Sequence, residues 1–137
     1  MVRRMRLAAS SRAVALSLPS AAERRATRTD SESLRKWYGF SQFRWARVLG
    51  VSRSTVARWA ADRSGPDTDS AEGRLFVLLE DVRALAGQLR RDPTRFRAWL
   101  RAPSPALRGR LPADILLRQG PTPIRDLLLD ELEGTYA

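Results

Sequence analysis

The sequence contains no cysteine and no histidine. The first absence excludes disulfides and cysteine-based zinc sites, and fits a reducing cytoplasm better than an oxidising compartment. The second removes the commonest general base and the commonest metal ligand. Glycine-rich phosphate loops are missing too, and no serine has an evident base beside it. Aspartates and glutamates remain, but none falls in a recognisable catalytic constellation. These absences argue against an enzyme, and no metal or cofactor is expected. No apolar run approaches the roughly 20 residues of a membrane span, so no membrane role is expected. No alternating strand pattern occurs either, so the expected fold is all-α.

Lysine is nearly absent: Lys36 is the only one among 25 basic residues. Arginine offers a planar fork for phosphates and guanine edges, although GC-rich coding would enrich it equally. Acidic residues are scarce in one half only. Residues 1–63 hold fourteen basic and four acidic side chains, whereas residues 64–137 hold eleven of each. The whole net charge of +10 therefore sits in the N-terminal half. A polyanion-binding half joined to a neutral half has this pattern.

Residues 1–30 are rich in Arg, Ala and Ser without periodicity and read as a disordered basic arm. Their start has a faint signal-peptide look, but Arg12 interrupts its apolar stretch. Met5 is an alternative start. Residues 31–63 read as three short helices. Asp30 and Ser31 can cap SESLRKWYG, which Gly39 ends. A second helix starts after Ser41 and runs to Gly50, and a third starts after Ser52. Residues 64–70, SGPDTDS, form a turn-rich linker, and the domain boundary is expected there.

Residues 71–137 read as a small helical C-terminal domain. Its first helix, about Ala71 to Leu89, carries Leu75, Leu78, Leu79, Val82, Leu85, Ala86 and Leu89 at helical spacing. Phe76 and Val77 fall off that stripe. The excess apolar surface suggests a homodimer, with burial within one chain as the other reading. Asp92 and Pro93 open a further helix, and residues 102–112 form a proline-rich structured loop. Pro112 and Pro123 are placed to open two last helices, the final one carrying Ile124, Leu127, Leu128 and Leu132.

The second and third helices make a helix-turn-helix, from Gln42 to Ala61. Ala46 is small where two helices must cross, and Gly50 suits the left-handed turn between them. Ser52 can accept from the next helix's free amides. On a wheel of the third helix, Val56, Trp59 and Ala60 share one face, expected to pack on Phe43, Ala46, Arg47 and Leu49. Arg53, Ser54, Ala57, Arg58 and Ala61 share the other. A small, basic outer face is what a helix needs to enter the major groove. Trp37, Trp45 and Trp59 read as core residues.

SQFRWARVLGVSRSTVARW resembles the helix-turn-helix of Xre/Cro-type regulators, with Gln42, Ala46, Gly50, Val51, Ser52, Val56 and Trp59 at the family's spacing. The resemblance implies a double-stranded DNA operator as partner. It places Ser52, Arg53, Ser54, Thr55 and Arg58 at the DNA and Gln42 near a phosphate.

The C-terminal half resembles the toxin-binding domain of MbcA/ParS/Xre antitoxins. RFRAWLRAPSPALRGRLPADILLRQG and PIRDLLLDELEG carry it, with Pro105, Leu107, Gly109, Pro112, Leu116, Gly120, Leu128 and Gly134 in the family's order. Arg108 departs from the pattern, standing before Gly109 where a glycine-rich pair is common. The resemblance implies a type II antitoxin that blocks a cognate toxin, usually a RES-domain enzyme consuming NAD, and represses its own operon. It puts Glu133, Gly134, Thr135, Tyr136 and Ala137 at the toxin's active site. Asp130, Glu131 and Glu133 in the last helical turn face an unfavourable helix dipole, which a basic partner would offset. The alternative is an Xre-family transcriptional regulator without a toxin partner.

Overall fold

Five helices begin where a serine or aspartate side chain accepts a backbone amide hydrogen bond. Asp30, Ser41, Ser52, Ser70 and Asp92 accept from the amides of Ser33, Arg44, Thr55, Gly73 and Arg95 respectively. Such caps satisfy amides that have no partner inside the helix. The computed structural model describes residues 29–89 and 91–134. Its helices are α1 Ser31–Tyr38, α2 Gln42–Leu49, α3 Arg53–Asp62, α4 Ala71–Gln88, α5 Pro93–Leu100, α6 Pro112–Gln119 and α7 Thr122–Leu132. A short 3-10 turn, Pro105–Leu107, lies in the loop between α5 and α6. There is no strand among the described residues, only an isolated bridge between Ser104 and Arg110. The all-α expectation therefore holds. No helix among the described residues is long and apolar enough to cross a membrane.

Helix α4 packs chiefly on α7 and also on α2, while α2 packs on α3 and α6. The buried side chains form a single cluster that draws on all seven helices. An aromatic group holds its centre. Tyr38 stacks on Phe40 at 5.6 Å and meets Trp45 at 5.6 Å, and Phe76 meets the edge of Trp45 at 6.5 Å.

The sequence placed a domain boundary at residues 64–70. That stretch is free of helix, but apolar side chains from both sides of it share the one core. It is also tied down. The Ser64 carbonyl accepts from the Ser31 amide at 3.0 Å, and Pro66 is buried. Ser70 accepts from the Gly73 amide at 2.9 Å while donating to the Asp67 carbonyl at 2.7 Å, which folds the stretch over the start of α4. A Cβ at position 73 would lie 1.7 Å from that same carbonyl oxygen, so only glycine fits there.

Two expected packing faces need correction. Phe76, set off the stripe of α4, is fully buried, whereas Leu75 and Leu78 are half-buried. The neighbours decide this, because the face of α4 turned to Trp45 includes Phe76. Phe43, expected against α3, is 53% exposed. Trp45, Ala46, Val48 and Leu49 supply the buried face of α2 instead.

Trp45 and Trp59 are core residues, and Trp37 is half-buried against the core with its ring 4.8 Å from Phe96. The expected basic arm, residues 1–30, lies outside the described residues except for Thr29 and Asp30.

Candidate nucleic-acid interface and C-terminal end

The turn between α2 and α3 is built by local hydrogen bonds. Gly50 has φ of 71°, and its amide donates to Arg47 while the Val51 amide donates to Ala46 at 3.0 Å. These bonds satisfy the last carbonyls of α2 and reverse the chain within two residues. Ser52 then starts α3. Its hydroxyl accepts from the Thr55 amide at 3.1 Å, donates to Thr55 Oγ1 at 2.9 Å and lies 3.0 Å from Ser54 Oγ. Three of the expected site residues are thus gathered at the amino end of α3.

Val56 and Trp59 turn inward and are buried, as the helical wheel requires. Arg53, Ser54, Ala57, Arg58 and Ala61 are exposed together. Arg53 and Arg58 form no ion pair with any described residue, so both guanidinium groups are available. The alanines between them leave room for a close approach by a groove wall. Gln42, the first residue of α2, is half-buried, and Ser52 is exposed.

Arg44 and Arg101, near this face, were not singled out from the sequence, and Arg47 was expected to pack its methylenes against α3 rather than to stand exposed. Arg44 and Arg47 are exposed on α2. Arg101, at the end of α5, reaches the start of the same helix. Gly39, Phe40, Ser41, Arg44 and Arg101 line one cleft of about 320 Å³. No local signal shows this, because positions 44 and 101 meet only through the packing of α5 on α1. Arg97 fixes that packing. Its guanidinium donates to the Trp37 carbonyl at 2.9 Å and to the Lys36 carbonyl at 2.7 Å, at the carboxyl end of α1 where cations are favoured.

At the other end of the chain, Ile124 and Leu128 bury α7 in the core. Glu131 pairs with Arg91 at 2.5 Å, so a cation of the same chain offsets one of the acids that crowd the last turn. Glu133 and Gly134 are exposed just beyond α7. Thr135, Tyr136 and Ala137 lie outside the described residues.

Residues 82–133 match the family model described as the antitoxin Xre/MbcA/ParS C-terminal toxin-binding domain. No curated protein matches the chain. Among solved structures, it resembles a chain in the crystal structure of the M. tuberculosis MbcT–MbcA toxin–antitoxin complex. The identity is 19% and the TM-score 0.57, over 78% of this chain and 94% of that one. At that identity the likeness shows a shared fold. Together with the matched stretch, it bears out the resemblance drawn from the loop and closing helix: residues 82–133 are similar to the Xre/MbcA/ParS antitoxin toxin-binding domain, within a chain that shares the fold of that neighbour.

Proposed function

We propose that this protein is the antitoxin of a type II toxin–antitoxin pair, acting in the cytoplasm by binding rather than by catalysis. The C-terminal domain binds a cognate toxin, a RES-domain enzyme that consumes NAD, and blocks it. The helix-turn-helix binds double-stranded operator DNA and represses the shared operon. The match of residues 82–133 to the toxin-binding domain family carries this reading.

DNA binding is supported by the exposed arginines of α3 and by a net charge confined to the N-terminal half. Arg53 and Arg58 read bases or phosphates, while Ser52, Ser54 and Thr55 add shorter contacts and Gln42 approaches a phosphate. Glu133 to Ala137 form the plug in the toxin's active site. The exposure of Glu133 and Gly134 at the end of a firmly packed helix supports that role. A homodimer would present two recognition helices roughly 34 Å apart, one turn of DNA.

Two variants of the full chain test the reading. Arg53→Ala with Arg58→Ala is expected to abolish the gel shift of the protein's own promoter region while leaving neutralisation of the co-expressed toxin intact. Deletion of residues 134–137 is expected to do the reverse. Full protection by the deleted chain would remove the plug, and unchanged DNA binding by the double variant would remove the interface. Failure of the wild-type chain to form a stable complex with the neighbouring gene product would remove the antitoxin reading itself.

A further inference from the structure

Two arginines 57 positions apart line the same cleft, and neither is neutralised there. Arg44 is exposed and makes no ion pair with a described residue. Arg101 is exposed as well, and its guanidinium makes only a long contact, 3.4 Å, to the Gly39 carbonyl. The other lining residues, Gly39, Phe40 and Ser41, bring no acid. Two unneutralised cations on one small concavity repel each other, and an anion between them relieves that repulsion.

We propose that Arg44 and Arg101 clamp one backbone phosphate of bound DNA, so that the C-terminal antitoxin domain itself forms part of the DNA interface. The inference rests on the DNA-binding reading above and extends it to a residue of the stretch matched to the toxin-binding family. In a helix-turn-helix the first of the two helices crosses the DNA backbone while the second enters the groove. Arg44 belongs to that first helix and has Arg47 three residues further on its exposed side. Arg101 is brought to it by a rigid connection. One turn earlier on α5, Arg97 already makes two hydrogen bonds to the end of α1. Little freedom is therefore lost when Arg101 engages a phosphate.

The test uses the full chain and two labelled duplexes of equal length, one carrying the promoter region of its own gene and one of scrambled sequence. Binding is followed by anisotropy across a salt series. Arg101→Gln is expected to weaken both duplexes by the same several-fold factor, and to reduce the slope of log affinity against log salt by about 0.9, one phosphate contact. Arg101→Lys is expected to restore most of that loss, and Arg125→Gln on α7, an equal change of charge, to leave the slope unaltered. Wild-type affinity and slope in Arg101→Gln would overturn the clamp alone. So would a variant that binds DNA normally but captures the toxin less well, since the cleft would then serve an acidic protein surface. If the wild-type chain binds neither duplex, the DNA-binding reading falls first and the clamp with it.

Discussion

The Tyr38 hydroxyl donates a 2.6 Å hydrogen bond to the carbonyl oxygen of Leu79, 41 positions further along the chain. Tyr38 ends α1, in the basic half, and Leu79 lies in the middle of α4, in the neutral half. The bond is fully buried, so it is made or lost without competition from water. It fastens the first helix to α4 at the centre of the core. Tyr38→Phe keeps the ring contacts and removes only this bond. The variant is expected to lose about 1–2 kcal/mol of stability, read from urea midpoints at neutral pH. No change in midpoint would show that the bond contributes nothing.

The same hydroxyl makes stability depend on alkaline pH. Burial raises the Tyr38 pKa well above its ordinary value of 10.0, with smaller opposing effects from Arg83 (downward) and from Asp81 and Glu80 (upward). The folded chain therefore keeps a proton that the unfolded chain releases from about pH 10 upward. Fewer protons are then bound in the unfolded state, so stability falls as pH rises through that range and is unaffected by this group below it. Urea midpoints at pH 8 and pH 11 are expected to fall further for the wild type than for Tyr38→Phe. All other titrating groups are common to both proteins. Equal falls in the two would rule out the coupling.

The boundaries of α2 and α3 were legible because their causes are local. Ser41, Gly50 and Ser52 set them through bonds that span no more than five residues. The inward side of α3 followed from periodicity alone. Phe43 and Phe76 were misplaced because an apolar residue at the margin of a helical face is assigned by its neighbours. Trp45 draws Phe76 inward, and nothing covers Phe43 to the same extent. The Arg91–Glu131 pair and the meeting of Arg44 with Arg101 join segments 40 and 57 residues apart. Neither leaves a mark on the sequence near its own position.

The two glycines of α4 should respond to alanine with opposite signs. At Gly73 the added Cβ meets the Asp67 carbonyl at 1.7 Å, so the stretch folded over the helix start must move. Gly73→Ala is expected to lose about 1–3 kcal/mol, the usual cost of overpacking, despite alanine's better helix propensity. Nothing lies within 4 Å of a Cβ at Gly87, which is exposed. Gly87→Ala is expected to gain about 0.5–1 kcal/mol through reduced freedom of the unfolded chain. Matching changes in the two melting curves would refute the close approach at position 73.

One core across both halves implies one unfolding transition. In a Trp99→Phe background, tryptophans 37, 45 and 59 report on α1 to α3, whereas far-UV circular dichroism reports on every helix. Their urea midpoints are expected to coincide. Phe76→Ala, which empties a fully buried site on α4, is expected to cost about 3–5 kcal/mol and to lower amide protection in α2 and α3 as much as in α7. Separate midpoints, or protection lost from α7 alone, would show two independent domains instead.

Pairing of two chains is the prediction that the fold constrains most. The sequence suggested α4 as the dimer helix because of its excess apolar surface. Phe76, Leu79, Val82, Leu85 and Ala86 are now accounted for inside one chain. Leu75, Val77 and Leu78 are large apolar residues of α4 left half-buried at the edge of that packing, and the adjacent pair Val77 and Leu78 offers a dimer contact through α4. Sedimentation at tens of micromolar is expected to give a species of twice the chain mass, and Val77→Lys with Leu78→Lys to give the single chain without loss of helicity. Retained dimers in that variant would move the contact to another surface, with exposed Phe43 the next to test. A wild-type chain that sediments only as a monomer would leave the two half-sites of an operator to be filled independently. The DNA-binding curve would then lack the steepness that a preformed dimer gives.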